Sequence, residues 1–315
     1  MECVVTDTAT IYYRAYYALP ESMTAPDGHP NNAVRGTLTT LRNLVDRFQT
    51  THVIPAWDVD WRPQWRVQLV PSYKTHRLEE PDDGSHDADE DAEPIPDTLG
   101  PQIGAIAEIL TCLGMPPLGA VDYEADDVIG TLAQRPTGPM IIVSSDRDLM
   151  QCVNDARSVR YLQMASGGMD RWTLLDETAV HARFGVLPAR YVDYAVLRGD
   201  PSDGLPGVRG VGEKTASALI NAFGSLDGVL DAARSNPPMK PMTARIAGNI
   251  DPTALLAAHQ VTQAATTVPC EMPPPWDPQS LDLDELTAIS AEWGVRSFTE
   301  GLVESLRGIH DSTSK

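Results

Sequence analysis

The stretch YEADDVIG, residues 123–130, crowds Glu124, Asp126 and Asp127 together at the start of a helical pattern. Acidic side chains at a helix N-terminus are ordinarily solvated and gain about 0.3–1 kcal/mol each from the helix dipole. Crowding alone therefore does not make a site. Three more carboxylates, however, stand where strands should end: Asp7 in CVVTD, Asp58 in VIPAWD and Asp146 in IIVSSD. Asp148 follows in SSDRDLM, and Asp200 and Asp203 lie in GDPSDG. Carboxylates brought together raise one another's pKa unless a cation neutralises them. Hard divalent cations with oxygen ligands, Mg²⁺ or Mn²⁺, are the natural partners of such a group.

The elements that must position these residues alternate as in a parallel-sheet α/β protein. CVVTD, THVIPAWD and PMIIVSSD read as buried strands. Helical periodicity runs from Asn31 to Phe48 (Val34, Leu38, Leu41, Val45) and from Leu99 to Leu113 (Ile103, Ile106, Ile109, Leu110), with a short helix from Glu124 to Ala133. In an open parallel sheet the carboxyl ends of the strands share one edge, where ligands collect. The acidic strand ends and the start of YEADDVIG should meet there.

Composition narrows the class. Cys3, Cys112, Cys152 and Cys270 form no CxxC pair, which argues for reduced thiols and against a disulfide framework or zinc site. No signal-peptide pattern or membrane-length apolar run is present, so the expectation is a soluble, cytoplasmic protein. GxSxG and P-loop patterns are absent. The formal net charge of −20 would ordinarily argue against a nucleic-acid partner. Half of it comes from residues 79–97, which hold ten acidic residues and no Lys or Arg. That stretch reads as a mobile acidic insert.

A second constellation lies in LPGVRGVGEKTASALI, where Gly207, Gly210 and Gly212 punctuate a turn that opens a helix carrying Lys214 and Thr215. Glycines let backbone N–H groups approach an anion, and a helix N-terminus favours negative charge. A helix-hairpin-helix needs these features to hold a DNA phosphate without reading bases.

From Val4 to about Leu230 the chain resembles the bacterial 5′ nucleases. This is the flap endonuclease/5′-exonuclease family that includes the N-terminal domain of bacterial DNA polymerase I. The resemblance rests on YYRAYYALP, AWD, SYKTHR, EADDVIGTLA, SSDRDLMQ and GDPSDGLPGVRGVGEKTA. It implies a PIN-like α/β core with a mostly parallel sheet and a helical arch region over residues 1–185. A helix-hairpin-helix and C-terminal helical subdomain would follow over 186–306, then a disordered tail over 307–315. The helical patterns at Pro252–Ala265 and Leu283–Trp293 are expected to pack on the hairpin.

By the same resemblance, Asp7, Asp58, Glu124, Asp126, Asp127, Asp146, Asp148, Asp200 and Asp203 match the family's metal-site carboxylates. Two, or with a third site three, Mg²⁺ or Mn²⁺ ions are implied. Asp126, Asp146 and Asp148 are expected to ligate directly, with Asp200 and Asp203 at the second ion. Lys74 becomes the lysine that meets the scissile phosphate and Arg77 its phosphate-clamping neighbour. Tyr73 is a base-stacking candidate, and Arg14 and Arg66 are phosphate contacts. Tyr12, Tyr13, Tyr16 and Tyr17 read as packing residues. A K⁺ ion at the Val208–Val211 turn also follows from the family.

The implied activity is metal-dependent hydrolysis of DNA at 5′ flaps and at recessed or free 5′ ends, by a monomer acting on branched or nicked DNA. Two departures stand out: Thr8 follows the first aspartate where the family has Gly, and Gly204 follows Asp203 where it has Asn. Thr8 is expected to crowd approaching DNA, and Gly204 to forgo a side-chain hydrogen bond. With the acidic insert, they keep open an inactive branched-DNA-binding protein on the same scaffold. A PIN-type ribonuclease would lack the glycine hairpin.

Overall fold

Successive residues of a central strand face opposite layers, and this chain supplies apolar side chains for both. The structure, a computed structural model, describes residues 2–78, 95–235 and 247–313. Most of the acidic insert, residues 79–94, lies outside the described residues, as do residues 314–315 of the expected tail. After β1 (Cys3–Asp7) come α1 (Thr8–Ala18), α2 (Asn32–Phe48), β2 (Val53–Ala56), α3 (Gln64–Leu69), α4 (Gly100–Cys112), α5 (Ala125–Gln134) and β3 (Met140–Ser144). β4 (Val159–Gln163), β5 (Thr173–Leu175), α6 (Glu177–Phe184), α7 (Tyr191–Arg198), α8 (Glu213–Phe223) and α9 (Leu226–Arg234) follow. The last helices are α10 (Pro252–Thr262), α11 (Leu283–Glu292) and α12 (Arg296–Thr313).

The sheet order is β2-β1-β3-β4-β5, parallel from β2 through β4, with β5 antiparallel at the edge. Val4, Ile141 and Val143 enter the core shared with α1, α2, α4, α11 and α12. Val5, Ile54, Met140 and Ile142 enter the opposite core, which continues into α5, α7, α8 and α9. Burial of both faces accounts for the apolar runs of these strands. The chain moves from β2 on one side of β1 to β3 on the other, so the switch point falls at the carboxyl end of β1, where a ligand crevice is expected.

Two expectations fail at the C-terminus. α10 packs on α7 beside the hairpin, but α11 packs on α4 and α12 on α2, across the sheet from it. Nor does order end at Arg307. α12 runs to Thr313, with Leu306 and Ile309 buried and His310 edge-on to Trp276. The sequence RGIHDST looks polar in isolation, yet its few apolar residues continue the face that α12 lays on the core.

Candidate active site

The carboxyl edge of β1, β2 and β3 opens into a cleft of about 630 Å³. Asp7, Asp58, Glu124, Asp126, Asp146 and Asp200 line it, with Lys74, Arg14, Arg77 and Arg147 among them. Asp7 closes β1, while Asp58 and Asp146 stand just beyond the ends of β2 and β3. Register brings them together, because β1 pairs with both neighbours (Asp7 with Ala56, Thr6 with Val143).

Local hydrogen bonds hold several of these acids. Asp7 caps α1, accepting from Thr10 N at 3.2 Å, and also accepts from Ser144 Oγ at 2.6 Å. Asp58 accepts from Ala125 N at 2.8 Å, which ties β2 to the start of α5. Asp146 Oδ1 accepts from Asp148 N at 2.8 Å. Asp200 accepts from Ser202 N at 2.9 Å and pairs with Arg198 at 3.2 Å. Among the described residues no three of these carboxylates converge as a preformed ligand set.

Burial pushes Asp58 up to about 7, with Asp7 adding to the shift. Burial, then Asp203 and Asp7, pushes Asp146 up to about 6. Asp126 is raised by burial and by Asp146, and Asp148 by burial and by Asp146 and Asp203. Asp148 is itself buried, and its Oδ1 has no hydrogen-bond partner. The cleft therefore gathers more carboxylates than the Arg14, Lys74, Arg77 and Arg147 cations that line it with them.

Lys74 enters this cleft from a left-handed backbone, φ 51°, uncommon for a residue with a side chain. Its Nζ donates to Glu124 Oε2 at 2.6 Å and to the Trp61 carbonyl at 3.1 Å. Burial works against its charge, but Glu124, Asp203 and Asp58 outweigh that and raise its pKa. Lys74 N also donates to the Asp203 carbonyl at 3.1 Å, docking the lysine segment on the Asp200–Gly204 turn. Arg77 reaches the same turn, pairing with Asp203 at 3.3 Å.

Of the expected acids, Asp127, Asp148 and Asp203 are not among the residues that line the cleft, and neither are Arg66 and Tyr73. Asp127 is fully buried and held by both arms of Arg66, at 2.7 and 2.8 Å. It also completes the capping box of α5 with Glu124. Helix neighbours point in different directions, so Asp126 takes the cleft and Asp127 the interior. Arg66, 2% exposed, is spent on that contact and cannot reach a DNA phosphate. Tyr73, 3% exposed, donates to Glu124 Oε1 at 2.8 Å and offers no ring face for stacking.

Both departures from the family pattern find local reasons. Thr8 is wholly buried against Thr6, so it cannot crowd a ligand. Gly204 has φ +72°, and a Cβ there would lie 2.1 Å from the Ser72 carbonyl oxygen. Among the tyrosines, Tyr12 and Tyr16 pack inside, whereas Tyr13 and Tyr17 line the cleft, Tyr17 being 73% exposed. In YYRAYY the helical period itself separates the two pairs. Arg147, in the SSDRD motif, lines the cleft as well, a position its motif alone does not signal.

The glycine turn forms a second patch. A Cβ on Gly207 would lie 2.4 Å from Gly199 N, so two backbones cross where only glycine fits. Buried Val208 and Val211 anchor the turn and leave Arg209, Gly210, Gly212 and Lys214 outside. α8 starts at Gly212 without a side-chain cap, so Thr215 and its neighbours begin the helix with N–H groups that no side chain covers. Arg147 pairs with Glu213 at 3.9 Å, linking the cleft rim to this helix start. No helix among the described residues is long and apolar enough to cross a membrane.

Comparison with known proteins bears on the family and the fold. The chain is 44% identical over 310 residues to a 5′-3′ exonuclease of Streptomyces coelicolor, covering 96% of this chain and 99% of that one. It is 40% identical over 313 residues to a 5′-3′ exonuclease of Mycobacterium tuberculosis, covering 96% and 97%. Its fold matches that of the bacteriophage T5 D15 flap endonuclease, solved in complex with DNA and metal ions. That match has a TM-score of 0.60 at 15% identity and covers 98% of this chain and all of the other. The family model for the N-terminal resolvase-like domain of 5′-3′ exonucleases matches residues 2–185, and that for their C-terminal SAM fold matches 186–286. The chain belongs to the 5′-3′ exonuclease family.

Proposed function

We propose that this protein is a structure-specific 5′ nuclease. It hydrolyses DNA phosphodiesters at 5′ flaps and at recessed or free 5′ ends, acting as a monomer on branched or nicked DNA in replication and repair. The observation that carries this is one cleft with a floor of carboxylates and a rim of Arg14, Arg77 and Arg147, one ion pair away from the glycine hairpin.

An all-oxygen donor set suits Mg²⁺ or Mn²⁺, and the unpartnered, buried Asp148 Oδ1 is an acceptor awaiting a cation. Asp7, Asp58, Asp126, Asp146, Asp148, Asp200 and Asp203 are the residues that would hold the ions, with Glu124 kept beside them by Lys74 and Tyr73. Bound there, such ions activate water and offset charge on the departing oxygen. Lys74 Nζ is held protonated beside the acids, where it can turn to a phosphate whose charge grows during the reaction. Arg14, Arg77 and Arg147 orient the strand by its phosphates. Lys214, Thr215 and the Gly207–Gly212 turn hold the duplex by its backbone without reading sequence. Carbonyls of the Val208–Val211 turn would accept K⁺.

The test is a labelled 5′-flap duplex with and without Mn²⁺ or Mg²⁺, wild type beside Asp146→Ala, with a gel shift on both. Metal-dependent short products that vanish in the variant while binding persists support the proposal. Binding without cleavage in either metal would make the chain a junction-holding protein instead.

A further inference from the structure

We infer that Arg66 and Gln151 are positioning residues. Through them, the chain from Val261 to Val268 sets the spacing between α5, which carries Glu124 and Asp126, and the short 3₁₀ turn Asp148–Cys152. The inference rests on the metal-dependent reading above, but its first readout does not require cleavage.

One stretch of backbone touches both acid-bearing elements. On the α5 side, Arg66 Nε donates to the Val261 carbonyl at 3.0 Å while its two terminal nitrogens grip Asp127. Ala265 N donates to Asp127 Oδ1 at 2.8 Å, and Thr131 Oγ1 donates to the Ala265 carbonyl at 3.1 Å. No slack remains between them, because a Cβ on Gly130 would lie 2.8 Å from Ala264 Cβ and 2.9 Å from the Ala265 oxygen. On the other side, Gln151 Nε2 donates to the carbonyls of Thr262 at 3.0 Å and Asp148 at 2.9 Å. Gln151 Oε1 accepts from Ala264 N at 3.0 Å.

A buried ion pair is a poor route to stability, since apolar residues of similar size often do as well or better. A bidentate guanidinium does fix the plane and orientation of its carboxylate. Asp127 is one residue from Asp126, and the Asp148 carbonyl is bonded by Gln151. Displacement of residues 261–268 therefore reaches both acid-bearing elements, α5 and the Asp148–Cys152 turn. Because this stretch leaves α10, which packs on α7 beside the hairpin, it also joins the DNA-holding patch to the acid cleft.

The experiment compares full-length wild type, Arg66→Lys and Gln151→Ala. Mn²⁺ binding is titrated without DNA by calorimetry, then kcat and KM are measured on a 5′-flap substrate. Arg66→Lys keeps the charge but loses the fork. It is expected to raise the Mn²⁺ concentration for half-saturation about 10–100-fold, and to lower kcat by a similar factor with KM within about twofold. Gln151→Ala moves both in the same direction by less, and it decides the matter if Arg66→Lys does not fold. Unchanged Mn²⁺ binding and kcat in folded variants overturns the inference, as does a rise in KM alone, which would make Arg66 a DNA contact. Wild type that binds Mn²⁺ without cleaving sinks the nuclease reading only.

Discussion

Lys74 and Glu124 form a buried ion pair, Nζ to Oε2 at 2.6 Å, inside a cleft where Asp7, Asp58, Asp126 and Asp146 also lie. Glu124 also receives Tyr73 and lies 3.4 Å from Arg66, so it keeps partners if the lysine is lost. Lys74→Ala is therefore expected to fold. It should lower kcat by about 10²–10³, the usual cost of removing one donor to developing charge. Mn²⁺ binding, measured by calorimetry, should not weaken, because a positive charge has left the neighbourhood of the acids. Parallel loss of metal binding would mean that Lys74 serves by holding Glu124.

The buried acids make the stability of the metal-free protein depend on pH. Burial and neighbouring acids raise Asp58 to about 7 and Asp146 to about 6, above the unfolded carboxylate value. Between the unfolded and folded values the native state binds more protons than the unfolded one, so stability falls as pH rises. This contribution is complete below about pH 4 and gone once pH passes through about 6 to 7. A divalent cation replaces those protons. The gain in Tm on adding Mn²⁺ should therefore grow from about pH 5 to about pH 8 in differential scanning fluorimetry. A gain independent of pH would place the ion elsewhere.

Gly204 separates the lysine segment from the aspartate turn by a backbone contact. With φ +72° and the Ser72 oxygen 2.1 Å from any added Cβ, Gly204→Ala must push one segment from the other. The expected loss is about 1–3 kcal/mol in urea unfolding. A fall in kcat should accompany it, since Lys74 N bonds to the Asp203 carbonyl. Retention of wild-type stability would show that the two segments are not held so closely.

Tyr17 and Tyr73 should exchange the roles the sequence implied for them. Tyr17 is exposed at the cleft, and Tyr17→Ala is expected to weaken binding to DNA with a single-stranded 5′ end by about 1–3 kcal/mol. Its Tm should stay close to wild type. Tyr73→Phe leaves a buried Glu124 oxygen short of a donor, so it should lower Tm while DNA affinity in a gel shift holds. The reverse pattern would restore Tyr73 as the stacking residue.

Local chemistry determined much of this protein. Apolar runs with acidic ends specify strands whose carboxyl edge is charged, and glycines before EKT specify a turn feeding a helix start. These signals survive in the sequence because each depends on a few neighbouring residues. α12 was less legible, as its sparse apolar residues acquire meaning only against α2.

Only the tertiary structure decided which carboxylates face the cleft. Asp126 and Asp127 are adjacent and identical, and the side on which α5 packs separates them: Asp127 turns inward to Arg66 and Ala265, while Asp126 remains at the cleft. The same holds for Arg66, whose partner is distant in sequence, and for Gly204, which answers to the Ser72 backbone. Motif spacing records which residue types are brought to a site. Their direction depends on long-range packing, and a buried charge takes the partner that packing brings to it.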